Sequence, residues 1–168
     1  GTNHQAVSVS EREIVSIMVN EEDHLRIQAM QSGLNLLEAW KIIDKIDDEF
    51  GKKLIYAYSP SLGFLTACPT NVGTGMRASV MLHLPSLVMT KQIDKVLQSI
   101  AKLSLTTRGF YGEGTEASGN FFQISNQVSL GRSEEELIDN IERIIKQVIE
   151  YEQSTREELL SRSKEALE

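Results

Sequence analysis

Three short stretches of this sequence combine groups that bind anions with groups that move protons. The first is Asn20-Glu21-Glu22-Asp23-His24-Leu25-Arg26. Three adjacent acids repel one another, so the stretch gains from a cationic partner. A guanidinium, which a carboxylate meets with two parallel hydrogen bonds, is one; a metal is the other. A solvated acidic turn is the plain alternative. The second stretch runs from Cys68 to Arg77 and includes Gly73 and Gly75. A cysteine that precedes a glycine-bearing loop can meet several backbone N–H groups, which favour a thiolate. A buried cysteine beside a tight turn is the alternative there. The third stretch runs from Arg108 to Glu116, where Gly109, Gly112 and Gly114 lend mobility and Glu113 and Glu116 supply carboxylates. Such a loop can close over a substrate, or simply be an exposed hairpin.

Other chemistries find less support. The cysteine loop lacks the lysine and the spacing of a Walker-type phosphate loop. His4, His24 and His83 show no metal-ligand spacing, and a Cys–His hydrolase would need Cys68 to meet His24 or His83. The net charge of −7, without a dense Lys/Arg cluster, argues against nucleic acid. No apolar run approaches the roughly 20 residues that span a bilayer, and no signal peptide is visible. The single cysteine, Cys68, points to a reducing, cytoplasmic setting. The chain starts Gly1-Thr2-Asn3-His4, without Met, and reads as part of a longer protein.

The elements that position these stretches follow from periodicity. The 168 residues suit one ordinary domain with a real core. Residues 1–12 are polar and read as a flexible segment. Ile14 to Val19 is a β-branched strand, and Leu25, Ile27 and Ala29 alternate with polar residues as a second strand pairing back on it. On an extended backbone Glu22, His24, Arg26 and Gln28 share one face. Leu36, Leu37, Trp40, Ile43, Ile46 and Phe50 recur at helical spacing, with Asn35 and Glu38 as a capping pair and Gly51 as the stop. Residues 53–58 and 64–67 are short strands. Residues 76–84 alternate over nine positions and predict a further strand. Ile93 to Leu103 is a helix, and Leu105–Arg108 and Phe121–Ser125 are strands. Ser133 and Glu136 form a capping box that opens a long helix. Its charged end, residues 154–168, continues as helix or tail, leaving 13–153 as the folded domain. Strands joined by turns and helices predict an α+β fold with a largely antiparallel sheet.

At the three stretches the sequence resembles the phosphagen kinase family, whose members move phosphate between ATP and a guanidinium. The residues that carry the resemblance are Asn20 to Ile27, Gly63-Phe64-Leu65-Thr66 leading into Cys68-Pro69-Thr70-Asn71-Val72-Gly73-Thr74, and Arg77-Ala78-Ser79-Val80 with Leu84-Pro85. Arg108-Gly109, Gly112-Glu113 and Ile124-Ser125-Asn126 complete it.

Position by position, the resemblance implies that Arg26, Arg77 and Arg108 hold the ATP phosphates. It implies that Glu22 grips the guanidinium and takes its proton. Cys68 matches a thiolate on the other side of that group, with Thr70 holding the sulfur, and Glu113 matches a loop carboxylate that closes on the substrate. Ala78, Ser79, Val80 and Met81 fall on the strand that lines the nucleotide, and the resemblance implies that Gly109, Phe110, Tyr111, Gly112 and Glu113 of the flexible loop bind the nucleotide too. ATP would bring Mg²⁺ through its phosphates, with no protein metal site. The implied fold is the antiparallel α+β catalytic domain shared with glutamine synthetase.

Gly114, Met81 and Gln123 depart from the small-molecule kinases, which usually have His, His and Asp there. These departures resemble the bacterial branch that phosphorylates arginine side chains of proteins. Membership in that branch would imply protein substrates marked for degradation or stress response, an activator protein, the Clp protease system and a homodimer. The family's Ser-x-Arg-x-Arg segment has no match here, so the chain alone is expected to be weakly active. A kinase for free arginine or another small guanidine, and a catalytically silent phosphoarginine- or partner-binding domain, are the rival readings.

Overall fold

The computed structural model describes residues 4–109 and 118–165. Phe110, Tyr111, Gly112, Glu113 and Glu116 of the expected mobile loop lie outside them. The chain divides into two compact units, Gly1–Arg77 with Ser129–Ile138 and Ala78–Val128 with Asp139–Glu168.

The first unit holds an antiparallel sheet of β1 (Ala6–Val9), β2 (Val15–Val19) and β3 (Leu25–Ala29), in that order. Residues 6–9, expected to be loose, are an edge strand with Ala6 opposite Val19 and Val9 opposite Ser16. All four are exposed, so no buried face imposed a pattern that would announce the strand. The helix α1 (Leu36–Gly51) follows and packs on β3. Its apolar stripe is only half-covered, with no residue fully buried. Asn35 does not cap it, because its amide donates to the Ser32 carbonyl at 2.6 Å, and Gly51 is its last residue. The strands expected over 53–58 and 64–67 shrink to a small hairpin of β4 (Tyr58–Ser59) and β5 (Gly63–Phe64).

The second unit is built on β6 (Ser79–His83), β7 (Leu105–Gly109) and β8 (Phe121–Asn126), antiparallel in the order β6-β8-β7. The helices α2 (Pro85–Met89) and α3 (Ile93–Ala101) belong to it, and α4 (Glu134–Glu165) runs through it from Asp139. The pairing puts Leu82, Phe122 and Ile124 on one face of the sheet, where they are buried. Buried with them in this unit are Leu87, Ile100, Ile141 and Ile145. The strand expected over 76–84 is shorter because other partners take its first backbone groups. The Met76 N–H bonds to Thr74 Oγ1 at 3.1 Å. The Ala78 N–H bonds to Asn126 Oδ1 at 2.8 Å. The short helix α2 had no signal of its own in the sequence. The capping box of α4 forms as read: Ser133 N–H reaches Glu136 Oε2 at 3.1 Å, and Glu136 N–H reaches Ser133 Oγ at 3.2 Å. The architecture is α+β with antiparallel sheets flanked by helices, as expected, but the sheet is three separate ones.

One acid sits inside the apolar stripe of α4. Glu152 is 4% exposed and accepts the N–H groups of Ser86 and Leu87, both at 3.0 Å. Arg156 reaches the same carboxylate at 3.1 Å. Glu152 therefore satisfies two donors that the first turn of α2 leaves open. Burial by itself would raise its pKa. The Ser86 and Leu87 N–H bonds and Arg156 more than reverse this, so the carboxyl titrates below its ordinary 4.5. A depressed folded-state pKa gives stability that is complete above the unfolded value and is lost as pH falls through the folded one. Glu152→Gln is expected to cost about 2–3 kcal/mol at pH 7, in the range of hydrogen bonds to charged groups. The difference from the parent should shrink as pH falls below about 4.5. Urea melts of both proteins from pH 7 downward measure it, and a difference that grows in acid contradicts the assignment.

Candidate active site

The acidic stretch is the turn between β2 and β3. Val19 pairs with Leu25, which leaves residues 20–24 to reverse the chain. Asn20 takes a positive φ of 54°, which Asn tolerates better than most residues. Its N–H bonds to the His24 carbonyl at 3.0 Å, and its side-chain oxygen lies 3.0 Å from His24 Nδ1. His24 is thus occupied in closing the turn. Because β3 begins at Leu25, the strand parity expected to align Glu22 with Arg26 does not reach Glu22. The face shared by alternate residues begins with Arg26 and Gln28.

The three acids separate by partner. Glu21 approaches Arg26 Nη1 at 3.7 Å, an exposed pair of the weak kind. Asp23 reaches across to the cysteine loop, accepting the Ala67 N–H at 2.6 Å and the Asn71 amide at 3.3 Å. Glu22 is exposed and has no hydrogen bond or ion pair among the described residues.

The cysteine loop hangs from a closed base. Phe64 and Gly73 exchange backbone hydrogen bonds at 2.8 and 3.2 Å. Within the loop, Pro69–Asn71 make a single 3-10 turn. Cys68 precedes it in extended conformation, and its carbonyl accepts the Asn71 N–H at 3.0 Å and the Thr66 hydroxyl at 2.7 Å. The sulfur lies 2.9 Å from Thr70 Oγ1. The row of backbone N–H groups expected to face it is not there, because the turn uses them: Asn71 on Cys68, Val72 on Pro69, Gly73 on Phe64. The Ser129 hydroxyl lies 3.0 Å from the Thr70 carbonyl and 2.8 Å from that of Val72. The Ser129 carbonyl in turn accepts the Thr74 N–H at 3.0 Å.

The first unit thus brings Glu22, Arg26, Cys68 and Thr70 onto two tied segments, and Arg77 follows them, exposed, just beyond the loop. In the second unit, register and parity put Ser79, Met81, Gln123 and Arg108 on the sheet face opposite the core. Gln123 donates to Ser79 Oγ at 3.0 Å. Val80 lies on the core face with Leu82, and Ala78 is buried, so their side chains are turned away from Met81 and Arg108. Gly109 ends β7, and Glu113 lies outside the described residues. Sequence reasoning missed Asp23 and Ser129 as site builders. Nothing distinguished Asp23 within its acidic run, and Ser129 is 59 residues from Thr70.

The profile of the ATP:guanido phosphotransferase C-terminal catalytic domain matches residues 2–155. The chain belongs to the ATP:guanido phosphotransferase family. It is 57% identical over 164 residues to a protein-arginine kinase of Pelotomaculum thermopropionicum, covering 98% of this chain and 46% of that one. A protein-arginine kinase of Brevibacillus brevis is 56% identical over 163 residues, covering 97% and 46%. The chain spans about half the length of these curated relatives. Among solved structures, lombricine kinase matches with a TM-score of 0.79 and 29% identity over 92% of this chain and 43% of the other. The duplicated taurocyamine kinase of Schistosoma mansoni matches with a TM-score of 0.77 and 35% identity, covering 89% and 21%.

At Gly73 of the phosphotransferase loop no side chain fits. Gly73 has φ of 111°, and a Cβ there would lie 2.4 Å from the Ser129 carbonyl oxygen. Gly73→Ala is expected to destabilise by roughly 2–5 kcal/mol, summing backbone strain and overpacking. Denaturant melts measure it. A cost under about 0.5 kcal/mol, the range of ordinary surface changes, would mean that the junction yields easily.

Proposed function

We propose that this chain is the catalytic part of a protein-arginine kinase, which transfers the γ-phosphoryl group of ATP to the guanidinium of arginine residues in proteins. The observation that carries the reading is the division of labour among the three acids. With Glu21 on Arg26 and Asp23 on the cysteine loop, Glu22 is the carboxylate left for a substrate. It adjoins Asp23 in sequence, as Cys68 adjoins Ala67, so both groups flank one tie. The names of the relatives at 57% and 56% identity support arginine in proteins as the acceptor.

An arginine guanidinium stays protonated up to a pKa above about 12 and has no free lone pair for attack. Glu22 accepts the proton from the attacking nitrogen, an N–P bond forms, and the bond from the γ-phosphorus to the bridging oxygen of ATP breaks. The Cys68 sulfur accepts a guanidinium N–H from the opposite edge, and Thr70 steadies it. Arg26, Arg77 and Arg108 neutralise the phosphates, and Mg²⁺ enters as part of the nucleotide substrate. The Arg26–Glu21 pair is weak enough to exchange for a phosphate oxygen. Ser79 and Met81 line the nucleotide, while Ala78 and Val80 offer it backbone only. Glu113, with Phe110, Tyr111 and Gly112 beside it, closes on the substrate. By the same family likeness, the enzyme acts in the cytoplasm as a dimer, under an activator protein, and feeds the Clp protease system.

Glu22→Gln in the intact enzyme should lower transfer by about 10²–10⁴-fold, the usual contribution of a general base. Calorimetry should show ATP affinity nearly unchanged. Cys68→Ser should lower turnover far more than it lowers the melting temperature. Phosphoarginine on protein, read by mass spectrometry beside phosphate on free arginine, separates this function from a small-guanidine kinase. Wild-type-like transfer in both variants would remove the two residues from the site.

A further inference from the structure

We infer that Asp23 is a positioning residue for phosphoryl transfer: its carboxylate fixes where Glu22 stands relative to Cys68 by tying the acidic turn to the cysteine loop. The inference rests on the assignment of Glu22 and Cys68 to the guanidinium made above.

The two bonds span 44 and 48 residues of sequence and use both carboxylate oxygens. Their donors bracket the cysteine. Ala67 immediately precedes Cys68, and Asn71 is the residue whose N–H already holds the Cys68 carbonyl at 3.0 Å. A bond at each side of Cys68 restrains both its distance and its rotation relative to the turn.

The partners of Asp23 are also held by other means. The turn is closed by Asn20 and His24. The loop is closed at its base by Phe64 and Gly73 and clamped by Ser129. Removing Asp23 therefore leaves each segment its own shape and releases their mutual register. Both Asp23 oxygens already accept a bond within the fold, so its effect on chemistry is assigned to the positions of Glu22 and Cys68. Misplacing a reacting group by about 1 Å can cost on the order of 10²-fold in rate.

The test compares Asp23→Ala, Asp23→Asn and the double exchange Asp23→Asn/Asn71→Asp in the intact enzyme. Measured are kcat for phosphoarginine formation, KM for ATP and Tm, with Cys68→Ser and Glu22→Gln alongside. Asp23→Ala is expected to lower kcat by about 10²-fold, with little change in KM for ATP or in Tm. Asp23→Asn opposes two amide nitrogens and should lose much of the same activity. The double exchange again sets a donor against an acceptor at position 71, and still offers an oxygen to the Ala67 N–H. It should recover at least about tenfold of the rate lost.

An unchanged kcat in Asp23→Ala, with Cys68→Ser and Glu22→Gln inactive, overturns the inference and leaves the proposed function standing. A kcat that falls only in step with Tm, without recovery in the double exchange, reduces Asp23 to a stabilising residue and also overturns it. Full activity in both Cys68→Ser and Glu22→Gln overturns the reading of the site, and this inference with it.

Discussion

The cysteine loop depends on one steric constraint, the absence of side chains at positions 63 and 73. Three stretches of backbone meet there. A Cβ on Gly63 would lie 2.5 Å from the Gly73 carbonyl oxygen, and one on Gly73 would lie 2.4 Å from the Ser129 carbonyl oxygen. Only backbones this close let Phe64 and Gly73 pair while the Ser129 hydroxyl reaches into the loop. Once the base is closed, the N–H groups of Asn71, Val72 and Gly73 are all spent on turn and bridge hydrogen bonds. The sulfur of Cys68 then takes its contact from a side chain, Thr70, at 2.9 Å. A hydroxyl can rotate as a substrate arrives, which a fixed N–H cannot do. The crowding at Gly73 thus leaves the reactive end of the loop adjustable while its base is rigid.

The second unit meets a comparable demand by a different means. Its sheet must bury one face and expose the other, and the strand β6 does both by alternation: Leu82 is buried while Met81 is 48% exposed. The chain leaves β6 directly for α2, a helix of five residues. So short a helix gains little from its own hydrogen bonds. Glu152 supplies what is missing by accepting the Ser86 and Leu87 N–H groups. The end of β6 is anchored by a buried charge, and Arg156 keeps that charge from being unpaired. Ser79 and Met81, which the proposed function assigns to the nucleotide, sit on this strand.

Much of this was legible in the sequence, for identifiable reasons. Regular periodicity gave α1, α3, β3, β7 and β8 to within a residue or two, and the Ser133–Glu136 box gave the start of α4, whose end at Glu165 the charged tail left open. What failed shares a cause. The strand β1 is exposed on every residue, so the partner strand specifies it and its own pattern does not. Residues 76–78 alternate like a strand, yet their backbone is diverted to Thr74 and Asn126. Glu22 looked aligned with Arg26 only while the turn was taken as extended. For the candidate site, residue types singled out the acidic turn and the cysteine loop, and the family resemblance the strand of Ser79 and Met81. They could not reveal Ser129 or the role of Asp23, because those depend on contacts across tens of residues that no local pattern records.

The acidic turn shows how a repulsive run of charge can become a specific site. Glu21, Glu22 and Asp23 carry three like charges in succession, in a chain whose net charge is already −7. Left together in water they would repel and gain nothing. The fold gives each a different environment. Glu21 meets a cation, Arg26, at 3.7 Å. Asp23 accepts the Ala67 N–H and the Asn71 amide. Glu22 is exposed and has no hydrogen bond or ion pair among the described residues. With its two neighbours engaged, Glu22 is the carboxylate that the proposed function assigns to the guanidinium. In the proposed transfer the guanidinium's proton needs a nearby acceptor, and Glu22 is the one of the three acids without a partner among the described residues. On the proposed assignment, binding and proton removal would fall to a single residue because its two neighbours are occupied elsewhere.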